Sequence, residues 1–125
     1  MSQLLRLLNM HIKGARLLVV EDDPMLGNLW VDIMGHAGAI VAGPCATVGH
    51  ALEQVKEHLP VVALLDIQLL DGPSFPVARA LTTAGIPFVF VSGDHPDHLP
   101  AEFAGSPYLC KPVTVRDLMR TLEQV

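Results

Sequence analysis

The stretch Val61-Val-Ala-Leu-Leu-Asp66 limits the fold more than any other part of the chain. Five apolar residues run straight into one carboxylate, between Pro60 and the turn residues Asp71-Gly72-Pro73. A short apolar run closed off by turn signals suits a strand buried on both faces. Three further runs repeat the pattern. Arg16-Leu-Leu-Val-Val20 leads into Glu21-Asp22-Asp23, Pro87-Phe-Val-Phe-Val91 into Ser92-Gly93, and Tyr108-Leu-Cys110 into Lys111-Pro112. Ligands of open parallel sheets bind at the carboxyl ends of the strands. Acids, a hydroxyl and a lysine are therefore expected to converge on one edge.

Helical stretches separate the runs. Asp23 is placed to cap a helix that opens with Pro24, with Leu26, Leu29, Trp30 and Ile33 on its buried face and Gly35 and Gly38 at its end. A short second strand is expected near Ala39–Ala42, stopping at Gly43-Pro44. Thr47 caps a second helix that runs to His58, with Ala51, Leu52 and Val55 inward. A third helix covers about Phe75–Ala84 and ends at Gly85. The segment from Gly93 to Pro107 carries Pro96, Pro100 and Gly105, so a fourth helix there must be short or irregular, near Pro100–Ala104. Thr114 caps the last helix, with Asp117 three residues on and Val115, Leu118, Met119 and Leu122 as its inner stripe. Strand and helix thus alternate five times, which demands a parallel sheet with helices on both faces. The predicted class is α/β, a flavodoxin-like (βα)5 doubly wound sandwich with five parallel strands in the order 2-1-3-4-5. That order sets strands one and three side by side at the switch point and brings Glu21, Asp22 and Asp66 together.

Half of the residues are hydrophobic, which argues against a disordered chain. The formal net charge is −5 and no Lys/Arg cluster is visible, so a nucleic-acid partner is not expected. Cys45 and Cys110 lie far apart and form no Cys-x-x-Cys pair, which fits neither a zinc framework nor a disulfide scaffold. Cys110, inside an apolar run, is read as a small buried hydrophobe. Residues 1–14 are read as an N-terminal leader, frayed or a short appended turn, with a docking or dimer helix as the sharper reading of Leu4, Leu5, Leu8 and Ile12. The leader is too short and polar for a membrane span and carries no secretory cleavage pattern. Cytoplasmic localisation and a single domain over residues 15–125 are the resulting expectations.

Three carboxylates share a small pocket only when something positive joins them. Hard oxygen ligands on a shallow edge suit Mg²⁺, which keeps several waters and takes one or two carboxylates. Lys111 offers a point charge for an oxyanion, and Ser92 a hydroxyl donor. Acid, metal, lysine and hydroxyl together equip a site for phosphoryl transfer, where positioning and charge neutralisation dominate. An aspartate can itself be the nucleophile and form an acyl phosphate.

These residues, taken in order at strand ends, resemble the receiver domain of bacterial two-component response regulators over about Ala15–Val125. Glu21-Asp22 matches the family's acidic pair, Asp66 its phosphoacceptor, Ser92 with Gly93 its hydroxyl residue and small neighbour, Lys111-Pro112 its Lys-Pro signature, and Tyr108 its switch aromatic. The resemblance implies that Asp66 accepts phosphate from a sensor histidine kinase or a histidine phosphotransfer protein. It implies that Asp22 binds Mg²⁺ directly, Glu21 through water, and Gln68 by its backbone carbonyl. Lys111 would pair with a phosphoryl oxygen, Ser92 move toward it and Tyr108 turn inward behind it, with a cis bond at Pro112. Phe75-Pro76-Val77-Ala78 and Pro87-Phe88-Val89-Phe90-Val91 are similar to a stand-alone receiver subgroup. The chain departs from the pattern in its short loop Leu69-Leu70-Asp71-Gly72, which lacks the usual proline, and in its Pro-rich fourth connection.

The resulting reading is a signalling acceptor rather than an enzyme. Its output is a phosphorylation-dependent surface made of the fourth helix, strand five and the fifth helix. That surface would be read by a downstream protein or a second copy of the chain, with Arg116, Arg120 and Glu123 as contacts. The alternatives are a phosphate sink, a pseudo-receiver binding module and an aspartate-nucleophile phosphohydrolase. The last carries a second acid two residues after its nucleophile, where this chain has Gln68. An FMN carrier needs a Ser/Thr/Gly-rich phosphate loop after strand one, where Glu21-Asp22-Asp23 would repel phosphate. Asp94-His95-Pro96-Asp97-His98 has metal-ligand types but no second ligand cluster, so it is read as a solvated loop. His36, His50 and His58 are assigned no chemistry.

Overall fold

A computed structural model describes residues 13–123. The readings made for Leu4, Leu5, Leu8 and Ile12 lie outside the described residues, as do the side chains of Leu122 and Glu123. Five parallel strands, numbered here along the main sheet, are β1 (Arg16–Val20), β2 (Ile40–Cys45), β3 (Val62–Leu65), β4 (Phe88–Ser92) and β5 (Tyr108–Cys110). Their order is β2-β1-β3-β4-β5, the doubly wound arrangement. The helices are α1 (Pro24–His36), α2 (Val48–His58), α3 (Phe75–Thr83) and α4 (Val115–Glu123). Among the described residues no helix is long and apolar enough to cross a membrane.

Alternation along each strand builds a separate core on each face of the sheet. Leu18, Val20, Leu65 and Phe90 pack with Ala51 and Val55 of α2 and with Val77, Ala78 and Leu81 of α3. Leu17, Val19, Leu64, Val89 and Val91 pack with Trp30 and Met34 of α1 and with Leu118 and Met119 of α4. Both faces are covered, which is why the strands read as unbroken apolar runs.

Helix starts follow their caps. The Asp23 carboxylate accepts the N–H groups of Met25 and Leu26, with Pro24 at the first position. Thr47 Oγ1 accepts the His50 N–H at the start of α2, and Thr114 Oγ1 the Asp117 N–H at the start of α4.

Three expectations are corrected. Leu29 is exposed, because the buried side of α1 runs through Gly27, Trp30 and Met34. A Cβ at position 27 would lie 2.5 Å from Pro44 Cβ, so the helix axis sits close over β2 and rotates Leu29 outward. β2 does not stop at Gly43-Pro44 but continues to Cys45 through an irregularity in its register with β1. Gly43 makes that passage, at φ +109°, with an added Cβ only 2.3 Å from the Val19 carbonyl oxygen. The fourth helix is short and irregular, as the sequence leads one to expect: a single 3₁₀ turn, Ala101–Phe103, follows another at Pro96–His98, since the prolines remove the donors a longer helix needs. Cys110 is exposed, at the end of an outer strand with one neighbour; the buried thiol is Cys45, whose burial pushes its pKa up to about 11.

Candidate functional site

The acid edge is built by extending the strand ladders one residue. Glu21 N–H donates to the Cys45 carbonyl (2.9 Å), Asp66 N–H to the Val20 carbonyl (2.9 Å), and Lys111 N–H to the Ser92 carbonyl (2.9 Å). These bonds fix the residue after each strand before any side chain acts. Glu21 and Asp66 are buried, Asp22 half-buried, and one carboxylate oxygen from each lies within 4.8 Å of the others. The Lys111 Nζ reaches over from β5 and donates to Glu21 Oε1 at 2.6 Å and Asp66 Oδ2 at 3.2 Å. The Ile67 N–H donates to Asp66 Oδ1 at 2.8 Å, and the Asp23 N–H to Glu21 Oε2 at 3.2 Å. Trp30 lines the same small gap beneath the edge as Glu21 and Asp66.

Electrostatics follow from this crowding. Burial pushes the Glu21 carboxyl up, the neighbouring Asp66 adds to the rise, and the Lys111 hydrogen bond takes back only part of it. Asp22 is raised as well, first by burial and then by Glu21. For Lys111 burial acts downward, but the Glu21 hydrogen bond and the charges of Asp66 and Glu21 outweigh it, so the ammonium is held more firmly than usual. One cation thus faces three acids, and the edge retains negative charge.

The other predicted site residues lie around this trio. Ser92 is buried at the end of β4, and its Oγ accepts the Asp94 N–H at 3.2 Å. Tyr108 is half-buried, donates its hydroxyl to the Asp94 carbonyl at 2.7 Å, and sets its ring 6.2 Å from that of Phe90. The Lys111–Pro112 bond is cis. Gln68 stands two residues beyond Asp66 with an exposed side chain, at the base of a small hairpin in which it pairs with Pro73.

Two features near the site escaped the sequence reading. The hairpin tip is fastened to the neighbouring helix: Asp71 Oδ1 accepts the Val48 N–H at 2.7 Å, and the Leu70 N–H donates to the Ala46 carbonyl at 3.0 Å. Asp71 satisfies one of the free N–H groups at the start of α2, and only its place beside a glycine turn hinted at a fixed role. The Ala101–Phe103 turn is pinned to α3 by Arg79, which donates twice to Glu102 Oε1 at 2.6 and 2.9 Å, while Phe103 buries its ring against Phe75, Phe88 and Phe90.

The donor set fits a hard divalent cation such as Mg²⁺: three carboxylates, two of them raised first by burial and then by their acidic neighbours. Asp22→Asn is expected to raise the thermal midpoint of the metal-free protein and to weaken Mg²⁺ binding, followed through Trp30 fluorescence. Asp22 has a raised pKa in the fold, so its destabilising charge is fully present above that pKa and absent below the unfolded carboxylate pKa. The advantage of Asp22→Asn should therefore be full at neutral pH and fade as the solution is acidified. Equal Mg²⁺ affinity in the two proteins would remove Asp22 from the site.

A doubly wound parallel sheet with an acid trio and a bridging lysine beside its switch point defines an α/β protein with an acidic edge at the carboxyl ends of its strands. No family model matches the chain. Among solved structures, it is similar to SdrG from Sphingomonas melonis, at 32% identity over 88% of this chain and 94% of that one, with a TM-score of 0.76. A BeF3-activated conformation of SdrG superposes with a TM-score of 0.72. A CheY-like response regulator receiver domain protein from Methanospirillum hungatei is 26% identical over 90% of this chain and 93% of that one, with a TM-score of 0.75. The transcriptional regulatory protein BaeR of Escherichia coli is 27% identical over 114 residues, which is 88% of this chain but only 47% of BaeR. The chain therefore spans about half the length of that curated relative. It belongs to the receiver-domain family of two-component response regulators.

Proposed function

We propose that residues 15–125 form a phosphoacceptor receiver in which Asp66 is the acceptor. The observation that carries the reading is the Lys111 ammonium bridging Glu21 and Asp66 at converging strand ends. A carboxylate oxygen of Asp66 attacks the phosphorus of a phosphohistidine on a sensor kinase or phosphotransfer protein; the P–N bond breaks as the acyl phosphate forms. Asp22 and Asp66 would hold Mg²⁺, with Glu21 acting through water and Gln68 through its carbonyl, and the ion would neutralise phosphoryl charge. Lys111 then exchanges a carboxylate for a phosphoryl oxygen, and Ser92 donates its hydroxyl to another. Such a protein is a signalling acceptor rather than an enzyme. The BeF3-activated form of SdrG supports a phosphoryl-responsive site in this chain.

Partner contacts have candidates on both sides of the acid edge. Met25 and Leu29 on α1 and Leu70 at the hairpin tip are large, exposed apolar groups on which the phosphodonor would rest. Output is read from β5 with its flanking 3₁₀ turns and α4, where Arg116 and Arg120 are exposed. A downstream protein or a second copy would bind there; nucleic acid and membrane are not expected partners of this acidic chain, and the cytoplasm is its proposed compartment.

Incubation with Mg²⁺ and acetyl phosphate, followed by intact mass, tests the acceptor. The wild type should gain one phosphoryl group and Asp66→Asn none. No adduct in the wild type, or an undiminished one in Asp66→Asn, sinks the reading.

A further inference from the structure

The turn after β4 contains two histidines, His95 and His98, that the acid edge does not use. Asp94 stands at its root with its polar groups engaged on both sides. Its N–H donates to Ser92 Oγ (3.2 Å) and its carbonyl accepts the Tyr108 hydroxyl (2.7 Å). Its Oδ1 accepts the His95 N–H (2.8 Å) and lies 2.6 Å from His98 Nδ1. The His95 N–H and then His98 hold the Asp94 carboxyl below the usual range. An ionised carboxylate only accepts, so Nδ1 of His98 carries a proton in this contact. His95 is arranged the opposite way. Its Nδ1 is within 3.1 Å of the Asp97 N–H and accepts from it, which needs a ring nitrogen without a proton. The Asp97 carboxylate lies 3.4 Å from that same nitrogen. Protonating His95 exchanges an accepted hydrogen bond for an ion pair inside the turn. Protonating His98 adds charge to a bond already made, at the residue tied to Ser92 and Tyr108.

We propose that Asp94 and His98 form a latch: they are positioning residues that set the placement of Ser92 and Tyr108, and the latch tightens as pH falls and the imidazole becomes charged. Facing it are His95 and Asp97 from the turn itself, Ser92 from β4, and Tyr108 and Cys110 from β5, with Cys110 Sγ 3.9 Å from the Asp94 carbonyl. A charged imidazole would bind the Asp94 carboxylate more firmly than a neutral one, so the latch would make the switch residues responsive to pH. That consequence for signalling rests on Asp66 as the phosphoacceptor; the latch itself does not.

The test uses the metal-free, unphosphorylated protein, with amide and imidazole resonances followed by NMR between about pH 5 and 8. In the wild type the Ser92, Asp94 and Tyr108 amides should shift with the midpoint of the His98 ring, and His95→Gln should leave that midpoint in place. His98→Ala should abolish the shift and speed exchange of the Asp94 amide roughly two- to fivefold relative to wild type at the same acid pH, the range for an exposed ion pair. His98→Gln, which keeps a neutral donor, should restore protection without the pH dependence. The latch is overturned if Ser92 and Tyr108 do not follow the His98 ring, or if His98→Ala leaves Asp94 exchange unchanged. The acetyl phosphate experiment is read separately by mass, so a missing adduct overturns the acceptor and not the latch.

Discussion

Phe90→Ala is expected to lower the unfolding free energy by about 3–5 kcal/mol. Phe90 is fully buried on β4, an inner strand of the sheet. Its ring meets Phe88 at 5.2 Å, Phe103 at 5.7 Å and Phe75 at 6.3 Å, all near edge-to-face. Truncation opens a cavity bounded by rings from α3, β4 and the Ala101–Phe103 turn, and none of these can close it without leaving its own partners. The loss is a large share of the roughly 5–15 kcal/mol that a domain has in total. Urea unfolding of Phe90→Ala and Phe90→Leu checks it: the midpoint should fall steeply for alanine and much less for leucine, whose loss in unfolding free energy should stay under about 1.5 kcal/mol, at equal slope. Equal losses in the two variants would mean that ring packing is not what holds this region. Because Tyr108 also packs on Phe90, the alanine variant should lose order at β5 as well.

The second large effect concerns charge. In Lys111→Ala the metal-free protein should lose about 1–3 kcal/mol, the range for leaving a buried polar or charged partner unpaired. Glu21 has 4% of its side chain exposed and would face Asp66 and Asp22 with no cation between them. Mg²⁺ supplies the missing positive charge, so most of that loss should return when the ion is added, more than the wild type gains from it. Thermal unfolding of both proteins with and without Mg²⁺ measures this difference. A loss that Mg²⁺ does not repair would assign Lys111 to packing of its stem. On phosphorylation, Lys111→Ala should still take up the phosphoryl group at Asp66 yet show no change in amide exchange on β5 or α4. A wild-type response in those elements would remove Lys111 from the switch.

The sequence made the strands and the acid edge legible because one cause governed both. A strand buried on two faces must be apolar throughout, so Leu17–Val20, Val62–Leu65 and Phe88–Val91 stand out, and each ends where polarity resumes at the edge. Helix starts were legible through Asp23, Thr47 and Thr114, whose side chains act within three residues. What stayed hidden depends on distant neighbours. Leu29 has the spacing of a core residue, and only the approach of Gly27 to Pro44 turns it outward. Cys110 lies in an apolar run, but an outer strand leaves one flank uncovered. Asp71 and Arg79 each bond a residue 23 positions away, which no local pattern announces. The acid trio was legible as a cluster, but the split of Lys111 between two carboxylates was not.

The passage of β2 through Gly43 and Pro44 also limits how the molecule can associate. β2 is an outer strand, and a free edge of that kind invites another chain to add itself as a further strand. Here the register slips between Leu18 and Val20, and Pro44 has no N–H to offer an incoming backbone. The opposite margin, β5, is three residues long. Neither side gives a visiting strand a continuous run of donors and acceptors. Among the described residues, self-assembly through the backbone is thereby disfavoured at both margins, which leaves side chains on helices and turns as the surfaces that another copy can meet.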